Sequence, residues 1–352
     1  MRTMPAFRIV DWGQPPVLTE APVPEPGPGQ VRVRVAGCGL CHSDLAMAQM
    51  PSAMGEALGW TAPFTLGHET AGWVDAVGAG VAGWSEGDPV ALASPSSCGR
   101  CRWCLRGQEN ACANGLVGRG YGRDGGLAPY VLAADVRALV PLAGLDPAIA
   151  GPLTDAGATS FHAVRRLLPR LDGDSSVVVL GVGGLGAFVV QILRALSGAR
   201  VVALDPNPAR RALAMELGAH DVLDGVDDTT PDALATLLGP DGADGVIDLV
   251  GTDATIRTAL GALGAGGGLA LVGAAGGTLR RPWYGTLPRD GEVFTFQGSD
   301  LADARAVIEL AADGRVRVAV DPFDLDHVAD AYEALDAGTL TGRAVVRFPT
   351  DV

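Results

Sequence analysis

From Ser175 onward the chain repeats one unit: a short run of β-branched residues, a glycine-rich turn, then a segment of helix composition. SVVVLG leads into the turn Gly181–Gly186 (GVGGLG), and LGAFVVQILRAL (Leu185 to Leu196) follows as a helix. ARVVALD (Ala199 to Asp205) is a second strand, ARRALAMELGA a helix stopped by Gly218, and DGVIDLVG (Asp244 to Gly251) a third buried strand. ATIRTALGALG and GLALVG continue the alternation to about Gly273. Strands alternating with helices at this spacing predict an α/β fold with a parallel sheet covered on both faces.

The turn itself carries chemistry. Gly181 permits the tight turn, Gly183 lets the backbone approach a pyrophosphate, and Gly186 allows close helix–sheet contact, with Gly184 and Leu185 completing the loop. The helix start beyond it presents free N–H groups and the positive end of a dipole to phosphate. With 50 glycines in the chain such a motif arises easily by chance, so its context decides. Asp205 ends the second strand, 19 residues beyond Gly186, where a carboxylate reaches the adenosine ribose and repels the 2′-phosphate of NADP. NAD is therefore the expected cofactor, with Arg210 and Arg211 keeping NADP as the alternative.

The first 150 residues have a different texture. VRVRVAG (Val31 to Gly37) alternates with period two as a half-buried strand does, Gly and Pro punctuate the rest, and little helical periodicity precedes Pro152. A length of 352 residues suggests two domains. The tail adds two helical stretches, ADARAVIELAADG and VADAYEALDAG, and a closing strand, RAVVRF.

Four of the six cysteines, Cys98, Cys101, Cys104 and Cys112, follow the pattern C-x2-C-x2-C-x7-C. Four thiolates on one short loop can close a tetrahedron around a structural zinc, and an iron–sulfur cluster is the competing use of such a set. The first residues show no apolar signal segment, which predicts a cytoplasmic protein and argues against disulfides. No run of about 20 apolar residues is present to span a bilayer. A net charge of −14 argues against nucleic acid or an anionic membrane as a partner.

Three further segments carry possible metal ligands: GLCHSD with Cys41, GHE with His68, and PLTDAGAT with Asp155. Singly each is weak. In this order, with the cysteine lobe and the glycine turn, they resemble the zinc-dependent medium-chain alcohol dehydrogenase family over essentially the whole chain, closest to bacterial NAD-dependent secondary-alcohol dehydrogenases with an Asp as third zinc ligand. The resemblance implies a GroES-like β-rich catalytic domain (1–156) with a structural-zinc lobe at about 95–115. It also implies a Rossmann doubly wound sheet domain (157–298) and a return to the catalytic domain (299–352).

Carried over by position, Cys41, His68 and Asp155 hold a catalytic zinc, and Cys98, Cys101, Cys104 and Cys112 a second, structural one. The family's commonest third ligand is a cysteine, so Asp155 is a departure, and one that zinc tolerates. Glu69 matches a glutamate that approaches the metal during ligand exchange, Asp44 a carboxylate that orients the ligating histidine, and Ser43 the hydroxyl that takes the alcohol proton. His42 and Arg343 match contacts to the cofactor phosphates, and Thr159 and Val272 match residues lining the nicotinamide. The histidine that continues the proton relay in relatives is replaced by Ala46, and Cys38 reads as a small buried residue. Met47, Met50, Met54, Leu58 and Trp60 supply either a hydrophobic pocket wall or ordinary core. Ser94 stands where relatives place a bulky aromatic, leaving room for a secondary or bulky hydrophobic alcohol.

The expected reaction is thus hydride exchange between an alcohol or carbonyl substrate and NAD in a homodimer or homotetramer. The alternatives are a dehydrogenase dedicated to one specialised metabolite, or a non-catalytic nucleotide-binding relative; the intact Cys41, His68, Glu69 and Asp155 argue against the last.

Overall fold

A computed structural model describes residues 2–94, 96–282 and 284–349. Two compact units form, Met1–Ala158 together with Gly298–Val352, and Thr159–Gln297.

The second unit is a six-stranded parallel sheet in the spatial order Asp221–Leu223, Arg200–Leu204, Ser176–Leu180, Ala243–Asp248, Leu263–Leu271, Glu292–Thr295. Every pairing is parallel, as crossover connections require. The central strands are buried along nearly their whole length, which is why they read as unbroken Val/Ile/Leu runs and not as alternating ones. The helix Gly186–Leu196 buries Phe188, Val189, Val190, Ile192 and Leu193; at about 1.5–3 kcal/mol for each fully buried side chain, that face alone anchors it. Chain order reverses between Ser176–Leu180 and Ala243–Asp248, so the crevice at the carboxyl ends of these strands is the topological switch point.

Two elements of this unit lack a clear sequence signal. The strand Asp221–Leu223 has only three residues, and the helix Thr230–Leu238 follows a polar run that reads as loop.

The first unit is built on a mixed sheet ordered Leu139–Pro141, Pro89–Leu92, Glu69–Val77, Val31–Gly39, Arg343–Arg347, Val320–Asp324, with Tyr130–Ala133 also pairing with Val31–Gly39. A smaller sheet joins Val17–Pro22, Thr3–Ile9 and Phe64–Thr65. The C-terminal strand Arg343–Arg347 thus lies beside Val31–Gly39, which stitches residues from both ends of the chain into one core.

Helices also interrupt this unit where the pattern predicted few. His42–Ala48 and Ser52–Ala57 are each too short for a clear 3.6-residue period, and Pro51 separates them. The first starts at Cys41, whose carbonyl accepts from Asp44 N at 3.0 Å while the Asp44 side chain reaches back to accept from the Cys41 N-cap amide at 3.0 Å.

Candidate functional site

Cys41 ends the turn after Val31–Gly39, His68 immediately precedes Glu69–Val77, and Asp155 follows the 3-10 turn Gly151–Thr154. The sheet brings the three together: one ligand atom from each, Sγ, an imidazole nitrogen and a carboxylate oxygen, lies within 4.8 Å of the others. His68 Nε2 stands 3.3 Å from Asp155 Oδ2, and neither ring nitrogen has a well-formed hydrogen bond although the ring is fully buried. That separation fits two donors on one tetrahedral ion, whose N···O edge is about 3.4 Å for zinc bonds of about 2.0–2.2 Å.

The electrostatics agree. Burial disfavours the imidazolium, yet Tyr121, Asp44 and Asp155 outweigh it and raise His68 well above the ordinary histidine range. The donor set of thiolate, imidazole and carboxylate suits zinc.

Behind these three residues, Asp44 is almost wholly buried. Its Oδ1 faces His68 Nδ1 at 3.2 Å, while Oδ2 accepts from Cys41 N at 3.0 Å and from Tyr332 Oη at 2.9 Å. Ser43 Oγ lies 3.2 Å from Tyr121 Oη, and the Tyr121 ring packs on His68 at 4.6 Å between centroids. Tyr121 and Tyr332 were not singled out in the sequence: they sit 78 and 288 residues from the groups they touch, and no local spacing announces such a contact.

Glu69 is outside the ligand cluster. Its carboxylate is fully buried and paired with Arg343 through both Nε, at 3.0 Å, and Nη2, while Ala156 N donates to Oε1 at 3.2 Å. Burial pushes the Glu69 carboxyl up to about 7 against the pull of Arg343. Gly39 makes the pair possible: a Cβ there would meet Glu69 Oε2 at 2.0 Å. Expected as a metal-approaching glutamate and a phosphate contact, Glu69 and Arg343 are here engaged with each other.

The remaining expected residues of this unit are more dispersed. His42 is exposed at the first position of its helix. Ser94 is buried, its amide donating to Thr154 O at 3.3 Å beside Asp155. Met50 is half-buried against the core. Trp60 is a core residue, donating Nε1–H to Leu116 O at 2.6 Å and packing edge-on to Phe64; it meets the site through Tyr121, 5.9 Å away. Cys38 is fully buried near Thr70, and burial pushes its thiol up to about 12.

The four-cysteine lobe converges equally closely. Pro95, at its expected start, lies outside the described residues. Sγ atoms are 4.0 Å apart for Cys98–Cys104, 3.5 Å for Cys101–Cys104 and 3.8 Å for Cys101–Cys112. Four thiolates bonded to zinc at about 2.3 Å stand about 3.8 Å apart along each tetrahedral edge, so the lobe fits one ion; a multi-iron cluster would spread its cysteines over several irons. The Arg100 amide and the Asn114 side chain lower the Cys98 thiol to about 5, favouring the ligating thiolate. The lobe's regular structure is limited to short turns such as Cys104–Arg106 and Glu109–Ala111, so a metal would serve as its core.

In the second unit Gly181 has φ +90°, and a Cβ on Gly186 would strike Gly181 O at 2.1 Å, so both positions demand glycine. A Cβ on Gly183 would meet nothing, which leaves the loop's outer side open. Asp205 is buried and ties the loop to the second strand, Oδ2 accepting from Val182 N at 2.8 Å and Oδ1 from Asn207 N at 2.9 Å. Arg210 and Arg211 lie on the helix Pro208–Glu216, Arg211 donating to Asp205 O at 2.8 Å. Val272 donates to Asp248 O at 2.9 Å at the end of its strand, and Thr159 is buried. These features fit a dinucleotide.

A doubly wound sheet with such a turn, in one chain with a β-rich unit that gathers Cys, His and Asp, defines a metal- and dinucleotide-dependent oxidoreductase. The comparisons with known proteins narrow the class. Residues 27–144 match the alcohol dehydrogenase GroES-like domain and residues 184–313 the zinc-binding dehydrogenase domain. An NAD-dependent alcohol dehydrogenase of Sulfurisphaera tokodaii is 33% identical over 97% of this chain and 99% of its own length. A D-arabinose 1-dehydrogenase (NADP+) of Saccharolobus solfataricus is 32% identical over 95% of each chain. The crystal structure of the Aeropyrum pernix alcohol dehydrogenase superposes with a TM-score of 0.89 at 33% identity, covering 98% of this chain and 100% of that one. The chain belongs to the zinc-dependent medium-chain alcohol dehydrogenase family, and it is an enzyme, an oxidoreductase of alcohol and carbonyl groups. Among the described residues no helix is long and apolar enough to cross a membrane.

Proposed function

We propose that this enzyme interconverts secondary or bulky hydrophobic alcohols and their carbonyl products with NAD, using two zinc ions per chain. The convergence of Cys41, His68 and Asp155, with Asp44 held behind His68, carries the reading. These three residues would hold the catalytic ion, and Cys98, Cys101, Cys104 and Cys112 the structural one. Zinc, when bound, supplies the Lewis acidity that makes an alcohol hydroxyl acidic near neutral pH and polarises a carbonyl in the reverse direction. NAD supplies the hydride acceptor.

The chain's own residues do the rest. Ser43 Oγ takes the alcohol proton as its own hydroxyl proton passes on toward solvent, and Tyr121 Oη, 3.2 Å away, holds the Ser43 hydroxyl in place for that exchange. This hydroxyl pair supports a path that starts without the histidine missing at Ala46. Asp205 supports NAD over NADP by offering a carboxylate to the ribose, with Gly181, Gly183, Gly184, Leu185 and Gly186 receiving the pyrophosphate. Thr159, Val272, His42, Arg210 and Arg343 are the further cofactor residues, Arg343 with part of its guanidinium already given to Glu69. Ser94, beside Thr154, supports room for a substituted carbinol, with Met50 and the Trp60–Tyr121 pair forming the apolar wall. The domain limits expected from the sequence, a cytoplasmic location and a homodimer or homotetramer complete the proposal.

Metal analysis of the purified chain tests it. Two zinc ions per chain are expected in the parent and one in Asp155→Ala, which should fold and bind NAD but turn over no alcohol; two ions retained in an active Asp155→Ala would refute the ligand set.

A further inference from the structure

The helix Val328–Asp336 carries Tyr332, whose phenol is buried among core residues and stacked on Phe7 at 5.7 Å with 22° between the rings. A tyrosine costs more than a phenylalanine to bury unless its hydroxyl has a partner. Here the partner is Asp44 Oδ2 at 2.9 Å. The same oxygen accepts from Cys41 N at 3.0 Å, and the other carboxylate oxygen faces His68 Nδ1 at 3.2 Å. The two donors hold one edge of the Asp44 carboxylate, and the plane they set points the other edge at the histidine.

We infer that Tyr332 is a positioning residue for the catalytic metal: its hydroxyl fixes the Asp44 carboxylate, which stands 3.2 Å from His68 Nδ1 and steadies that ring from behind, so that the C-terminal helix completes the metal site from nearly 300 residues away. The inference rests on the proposal that Cys41, His68 and Asp155 bind zinc. Cys41 N, the other donor to Asp44, belongs to a residue that itself ligates the ion, so Tyr332 is the anchor that does not move with the metal. Partners of this kind behind a ligating histidine are worth about 10–100-fold in metal affinity.

Tyr332→Phe removes one oxygen and leaves the ring on Phe7. The full-length zinc-loaded protein is challenged with a chromogenic chelator, and release is followed for the two ions separately. The four-cysteine ion serves as an internal control, because Tyr332 touches none of its ligands. Release from the Cys41–His68–Asp155 site is expected to quicken about tenfold or more, with the four-cysteine phase unchanged. Phe7→Leu, which loosens the stack but spares the hydroxyl, is expected to lower the melting temperature without changing that selectivity. If Tyr332 acts through Asp44, then Asp44→Asn combined with Tyr332→Phe releases zinc no faster than Asp44→Asn alone. Unchanged release in Tyr332→Phe, equal acceleration of both ions, or a fully additive double variant overturns the inference. A parent protein that takes up no ion at Cys41, His68 and Asp155 would instead overturn the zinc proposal beneath it, so the two failures are distinguishable.

Discussion

Replacing Arg343 by methionine removes a buried cation and keeps most of the side-chain volume. Its partner, Glu69, is fully buried, and Arg343 is only 5% exposed. The pair is two-pronged, so the substitution strands a carboxylate whose only other donor among the described residues is Ala156 N at 3.2 Å. Breaking such a pair from one side costs about 3–5 kcal/mol where the abandoned carboxyl stays ionised, and less as pH falls toward 7 and below, where Glu69 takes up a proton instead, so the loss is read at alkaline pH. In a unit of this size each kcal/mol moves the midpoint by about 2–4 °C, which places the expected loss at about 6–20 °C. Thermal melts are run without NAD, so that any contact between Arg343 and the cofactor phosphates contributes nothing. Glu69→Gln with Arg343→Met leaves two neutral groups that can coexist, and a coupling of about 2 kcal/mol or more is expected between the sites. If Arg343→Met melts within about 1 kcal/mol of the parent, or if the two substitutions simply add, the pair is not the structural element described here.

Further outcomes follow from the other contacts. Tyr121→Phe should lower kcat about tenfold while zinc content and KM hold, measured in steady state; an unchanged kcat removes Tyr121 from the orientation of Ser43. Cys112→Ser should cost one zinc per chain by metal analysis and open the 96–115 lobe to protease, while the other ion stays. Asp205→Ala should weaken NAD about 10–100-fold and narrow or invert its advantage over NADP in cofactor titrations, since a charged acceptor is lost. Ser94→Trp should cut turnover of secondary alcohols more than of small primary ones; equal loss on both would remove Ser94 from the pocket.

The parallel sheet was legible in the sequence because its strands are buried on both faces and leave continuous apolar runs, with glycine turns between them. The four-cysteine lobe was legible because its cysteines are close along the chain. The proposed metal trio was not, from spacing alone: Cys41, His68 and Asp155 come from three distant segments, and only their order relative to the other motifs gave them meaning. Tyr332 on Asp44, Tyr121 on Ser43 and Arg343 on Glu69 depend on which strands become neighbours, above all on Arg343–Arg347 pairing with Val31–Gly39. The short helices near Cys41 escaped because six or seven residues give fewer than two turns of periodicity.

NADH formation by the purified protein on matched primary and secondary alcohols, with and without prior chelator treatment, tests the central claim most directly. Turnover with NAD that favours secondary alcohols, disappears with the chelator and returns on adding zinc is the predicted result. Turnover that survives complete removal of metal from the Cys41–His68–Asp155 site would contradict the account.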